Sequence, residues 1–253
     1  LQVIIDGRNS NTAQVALDYV NRIVSELNRD WTAAGGLRGP PVRLVTRAWY
    51  NPNLESRWFF VTGLVGILTL VVTMMVTAMS VAREREQGTF DQLLVTPLRP
   101  VEILIGKALP GLLIGLFEAS LVVVVAVLWF QVPLMGSLAV LYLGMVLFLL
   151  AAVGIGLMIS SLAVTLQQAL LGAFLFMVPA VILSGFATPI ANMPEPVQWL
   201  TLVDPLRYYL IIVRSVFLEG AGLALLAGQM WPLAVIAVVT LAVSGWLFRH
   251  RMG

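Results

Sequence analysis

The chain has 253 residues, 59% of them hydrophobic and only 11% charged, with a formal net charge of +2. A soluble domain carries about 25% charged residues, so this composition excludes a soluble globular protein and marks an integral membrane protein. Cysteine is absent and His250 is the only histidine, which excludes disulfides, thiolate chemistry and a His-rich metal centre.

Residues 1–57 are a separate material, holding 12 of the 28 charged residues. Gln2 to Asp6 reads as a short strand, and Ser10 or Asn11 as a cap for a helix over Thr12 to Asn28. Val15, Ala16, Tyr19, Val20, Ile23, Val24 and Leu27 recur at helical spacing and form one apolar stripe. Gly35, Gly36, Gly39, Pro40 and Pro41 break the chain before a second strand over Val42 to Tyr50. The pattern predicts part of a small α/β domain, too short to bury a sound core alone. The alternative is a solvated tail with one helix.

Membrane helices are predicted at Trp58–Ala82, Ile103–Phe130, Gly136–Ser160, Ala169–Phe186 and Met230–Phe248. Pro110 either kinks the second or marks its start. Gly111-x-x-x-Gly115 permits close helix packing. A proline-containing polar region, 188–229, precedes the last helix and holds an amphipathic run over Pro205–Leu218.

Between the first two membrane helices lies an island of eight charges, Arg83, Glu84, Arg85, Glu86, Asp91, Arg99, Glu102 and Lys107. It reads as a loop, with a short helix over Asp91–Val95 whose apolar face is Phe90, Leu93 and Leu94, stopped by Pro97 and Pro100; Gly88 allows a sharp turn. A surface helix of this kind transmits force from a partner; the competing reading is an ordinary solvated connector. Placing the island in the cytoplasm puts Arg83, Arg85, Arg99, Lys107, Arg249 and Arg251 inside, against Arg207 and Arg214 outside, as the positive-inside rule favours. Residues 1–57 then lie outside, which calls for a sixth helix upstream of Leu1.

Three further features bear on function. Glu118 is the only charge between Ala108 and Ser160. It is either a substrate or proton contact in a pathway or a carboxyl hydrogen-bonded to a neighbouring helix. Arg207 and Arg214, seven apart, share a helix face. With Asp204 and Glu219 they either gate an outer exit or snorkel at an interface. No GxxxxGK[ST] phosphate loop occurs, because Gly106-Lys107 is followed by Ala108 and lacks the upstream glycine. The chain is therefore not expected to be an enzyme.

The string AREREQGTFDQLLVTPLRP at Ala82 to Pro100 resembles the signature of type-2 ABC exporter (ABC-2) permeases, in the multidrug-exporter-like bacterial branch. The likeness extends to NPNLE at Asn51–Glu55, LSGFATPI at Leu183–Ile190, NMP at Asn192–Pro194 and DPLRYYLIIVRSVFLEG at Asp204–Gly220. The resemblance implies an α-helical polytopic fold with six helices per subunit, a small extracytoplasmic α/β domain between the first two, and a pair of short outer helices before the last. It implies that Arg83, Glu84, Arg85, Glu86, Gly88, Thr89, Phe90, Leu93, Leu94, Pro97 and Pro100 form the coupling element that seats in an ATPase subunit. Glu118, Pro189, Asp204, Arg207, Tyr208 and Arg214 are candidates for the pathway and outer gate. The implied partners are ATP-binding cassette subunits that carry ATP and magnesium, a second permease subunit, a periplasmic membrane-fusion adaptor and the bilayer of the bacterial inner membrane. No cofactor is expected in this chain, and no nucleic acid partner. The competing function classes are a motor-independent secondary transporter or channel, which wants midplane ionisable groups and repeat symmetry, and a membrane scaffold for an extracytoplasmic partner.

Overall fold

The structure is a computed structural model that describes residues 2–7, 10–33, 42–51, 55–89 and 99–252. The chain divides into two units, 1–61 and 62–253.

In the first unit, strand β1 (Gln2–Asp6) pairs in parallel with β2 (Val45–Trp49), in the register Gln2 to Val45 through Asp6 to Trp49. Helix α1 (Ser10–Ala33) makes the crossover. A parallel pair needs such a crossover. Two asparagines bond to backbone groups further along the chain. The Asn28 side chain donates to the Val42 carbonyl at 3.1 Å and accepts from the Val42 N–H at 3.2 Å. Asn51 does the same for Glu55, at 3.1 and 2.9 Å. The stripe lies on α1, but Val15, Ala16, Tyr19, Ile23 and Leu27 on it are exposed.

Among the described residues, five helices are long and apolar enough to cross a membrane. They are α2 (Ser56–Glu86), α3 (Pro100–Leu128), α4 (Leu138–Leu162), α5 (Leu166–Leu183) and the final helix. Before the final helix come a turn at Ile190–Asn192, the short helix α6 (Glu195–Leu200), a tight turn at Thr201–Val203 and helix α7 (Pro205–Arg214). A wider turn over Ser215–Glu219 then leads to α8 (Leu223–Met252).

Four boundaries differ from the sequence expectation, each for a local reason. Six of the eight charges of the island, Arg83 to Glu86, Glu102 and Lys107, lie on helix. Arg and Glu are good helix formers, so α2 runs on through Glu86, and α3 takes Glu102 and Lys107 into its first turns. Proline suits a first helical position, and α3 begins at Pro100. Helix α5 stops at Leu183 instead of Phe186, next to Gly185 in the left-handed region. The amphipathic run keeps regular helix only to Arg214, then loosens over Ser215–Glu219 until Gly220, with φ +67, ends it. Helix α8 starts seven residues early, at Leu223 instead of Met230, and carries Pro232 inside it. Pro110 likewise lies within α3 and not at its start.

The core of the second unit is α4, packed most extensively on α8 and then on α3 and α7. Its Leu141, Met145, Phe148, Leu149 and Leu157 are fully buried. Helix α2 is drawn close by small residues. Thr69, Thr73 and Thr77, one turn apart, are fully buried. A Cβ added to Gly111 would lie 2.2 Å from Thr77, to Gly115 2.4 Å from Thr73 and to Gly156 1.9 Å from Thr77. The Gly111-x-x-x-Gly115 pair is therefore a real contact seam. Two of the threonines bond back into α2, Thr69 to the Val65 carbonyl at 2.6 Å and Thr77 to the Thr73 carbonyl at 2.7 Å, and the Thr73 hydroxyl is buried without a partner.

Candidate functional site

The charged end of α2 is where most helices of the second unit are tied together. Termination sets its geometry. Thr89 N–H bonds the Glu84 carbonyl at 3.0 Å and Gly88 N–H bonds the Arg85 carbonyl at 3.2 Å, with Gly88 at φ +70. This paired closure around a left-handed glycine is a Schellman stop. It is the sharp turn expected of Gly88.

Each residue of the last turn has its own task. Glu84 pairs with Lys107 of α3. The Arg85 guanidinium donates to the carbonyls of Ser161 and Ala163, at 2.7 and 3.2 Å, and so covers the carboxyl end of α4. Glu86 accepts from the Leu166 N–H at 2.7 Å, at the amino end of α5. Both bonds complement the helix ends they meet, cation at carbonyls and anion at N–H groups. One turn back, the Ser160 hydroxyl accepts from the N–H groups of Val81 and Ala82, at 2.9 and 3.1 Å. Helix α2 is thus bonded by polar groups to α3, α4 and α5 within two turns. Arg83 is exposed and pairs with no acid among the described residues. It lines, with Ser80, Glu84, Gln87, Thr89 and Lys107, a cavity of about 520 Å³. Phe90, Leu93, Leu94 and Pro97 lie outside the described residues; Pro100 begins α3.

The other end of the same unit is built differently. Asp204 caps α7, its Oδ1 accepting from the Leu206 N–H at 3.0 Å. It is 5% exposed, and its Oδ2 is buried without a hydrogen-bond partner. Burial pushes its carboxyl up to about 7; the Leu206 and Arg207 N–H groups and the Arg207 charge pull the other way. Arg207 donates to the Thr201 hydroxyl and lies 5.7 Å over the Tyr208 ring. The Tyr208 hydroxyl donates to the Leu202 carbonyl at 2.9 Å. The Ser215 hydroxyl donates to Glu219 at 2.9 Å. Pro189 precedes the turn at Ile190–Asn192. Arg214 is half-buried at the end of α7. The structure gathers Asp204, Arg207 and Tyr208 on the first turn of α7 and leaves Pro189 and Arg214 apart in sequence from that turn.

Glu118 is not the lone acid the sequence offers. Thr69 of α2 lies beside it, and its Oε2 is buried without a hydrogen-bond partner. It also acts on Tyr209, whose ring stacks on Phe148 at 4.3 Å and whose hydroxyl is buried without a partner. Burial first, then Glu118 and Tyr142, raise the Tyr209 hydroxyl's pKa. Sequence reasoning missed Lys107, Ser160, Ser161, Thr69 and Tyr209. The available signal was polar side chains at the ends of apolar runs, such as the Ser160-Ser161 pair, which need internal partners in lipid.

Comparison with known proteins gives the chain's family. The family model described as ABC-2 family transporter protein matches residues 1–246. The chain is 44% identical over 256 residues to the "Probable multidrug ABC transporter permease YbhR" of Escherichia coli (strain K12), covering 100% of this chain and 68% of that protein. It is 34% identical to the "Probable multidrug ABC transporter permease YbhS" of the same organism, over 99% and 67% of the two chains. It is 30% identical to the "Inner membrane transport permease YhhJ", over 100% and 68%.

Proposed function

Because the chain belongs to the ABC-2 family of transporters, we propose that it is the transmembrane subunit of an ATP-driven exporter whose motor is a separate ATP-binding subunit. The observation that carries this reading is the polar clamp at the end of α2. Arg85, Glu86, Glu84 and Ser160 join one helix end to α3, α4 and α5. A push delivered to the adjoining segment is then shared among helices that have no fuel of their own. A loosely solvated connector would dissipate it.

On this reading residues 83–100 face the cytoplasm and dock the motor, which holds ATP and magnesium. Residues 1–57 and the α6–α7 region lie on the far side of the bacterial inner membrane. A second permease subunit completes the path, and a periplasmic adaptor receives the cargo. The cargo is a drug-like or other small amphipathic compound; the names of the YbhR and YbhS relatives print "multidrug". ATP shifts the helices only as far as the motor binds one arrangement better than the other.

The test is to co-purify the chain with an ATP-binding subunit and measure export and ATP hydrolysis together in vesicles. Arg85→Ala and Glu86→Ala should leave insertion and hydrolysis in place and cut export at least tenfold. Export that survives without any ATP-binding subunit would overturn the reading in favour of a motor-independent transporter.

A further inference from the structure

The α6–α7 region frames a cleft that the clamp does not use. Leu175, Phe176, Pro179 and Leu183 of α5 form one wall, and Val203 and Asp204 the other, around about 150 Å³. Asp204 is the single polar side chain of that lining. Its Oδ1 is committed to the cap of α7, and its Oδ2 is buried with no partner. A buried carboxylate oxygen without a partner is costly, and something that enters this cleft can relieve it.

The chemistry of the lining narrows what that is. Magnesium and calcium need six or more oxygen ligands, and this cleft offers one free carboxylate oxygen. A neutral amphiphile fills the apolar walls and leaves Oδ2 as it was. Helix α5 brings no titratable group, since its lining residues are all apolar. Arg207 is the one charge that acts on Asp204 from its own helix, and its guanidinium is engaged with Thr201 and the Tyr208 ring. What fits both walls and carboxylate is a cation with an apolar body.

We infer that this cleft binds the charged head of a lipophilic organic cation, a quaternary or protonated amine, with Asp204 as its counter-ion. The assignment deepens the exporter reading and rests on it only for the meaning of the ligand as cargo. The site takes the head group, and the remainder of the ligand lies along α5, toward exposed Leu175.

The test is equilibrium binding to the full permease in lipid nanodiscs, without motor or ATP. The probe is radiolabelled benzyltrimethylammonium, and its competitor is neopentylbenzene, the same shape without the charge. The unaltered protein should bind the cation at least tenfold more tightly than the neutral isostere. Asp204→Asn keeps an N-capping oxygen and should lose at least tenfold in cation binding, with neopentylbenzene unchanged. Equal binding of the two probes by the unaltered protein, or undiminished cation binding by the variant, overturns the assignment. A second measurement needs no variant. Only the ionised carboxylate pairs with the cation, and Arg207 stays charged throughout. With the Asp204 carboxyl at about 7, cation affinity should rise about tenfold from pH 6 to pH 8, in proportion to the ionised fraction; a flat profile overturns the assignment. ATP-driven export by the assembled complex is read separately, so loss of the exporter reading leaves this binding result standing, and the reverse holds.

Discussion

The two ends of the helical unit spend polar groups in opposite ways. At the charged end of α2 the named side chains each reach another helix, and one buried atom there, Glu84 Oε2, goes without a partner. Arg85 covers α4, Glu86 meets α5, Glu84 meets Lys107, and Ser160 takes two backbone N–H groups. At the α6–α7 end, buried atoms go without: Asp204 Oδ2, Arg207 Nε and the Tyr209 hydroxyl. A satisfied network rigidifies, and an unsatisfied one holds free energy that a ligand or a proton can release. The first end is suited to passing on a displacement and the second to responding to what arrives. The threonine–glycine seam along α2 connects them.

The largest expected effect comes from breaking that seam. Gly156→Leu drives a side chain into Thr77 and the backbone of α2, where even a Cβ would lie 1.9 Å from the Thr77 hydroxyl. We expect a loss of at least about 3 kcal/mol and a collapse in the yield of folded permease, read from the thermal midpoint. Both ends should loosen together; a variant that weakens only one end would separate them.

The next tests sharpen the contrast. The native state holds the Asp204 proton up to about pH 7, whereas the unfolded chain releases it near the usual 3.8. Between those values the native state binds more protons, so this group's contribution to stability falls as pH rises from about 4 to about 7 and is flat above. Asp204→Asn should therefore be more stable than the unaltered protein at pH 8, by about 2 kcal/mol, with the gap closing near pH 4. Thermal midpoints across that range check it. Arg85→Ala should cost about 1–2 kcal/mol by stripping two carbonyls of their donor, with little pH dependence from pH 5 to 8. Gly88→Ala places a side chain at φ +70 and should cost about 1 kcal/mol. Glu102→Ala is the mildest. It removes an exposed acceptor from the Arg99 N–H, with an expected loss of about 0.5 kcal/mol.

The five membrane helices were legible because lipid demands long apolar runs, and their positions follow from hydropathy alone. Their ends were less legible. The charges Arg83 to Glu86 read as loop because charge signals water, yet they are helix formers that find partners on α3, α4 and α5. Glu118 was visible as an anomaly, but its contact with Thr69 joins residues 49 positions apart, which no local pattern encodes. Asp204 was visible as a candidate gate residue. That its second oxygen lies buried against α5 was not, because the α5 wall is contributed by residues some twenty to thirty positions earlier. The stripe on α1 was read correctly as a stripe, but its burial was not implied: five of its residues are exposed.

Sequence alone determined that the chain spans a membrane, roughly where its helices lie, a sharp turn at Gly88 and the family signature around it. Those depend on neighbours within a turn or two, where composition and backbone preference decide. Tertiary structure decided which helix ends are bonded to one another and which buried polar atoms are left unpaired. Hydrogen bonds act over about 3 Å in space, whatever the separation along the chain, so partner choice is settled only when the helices are packed.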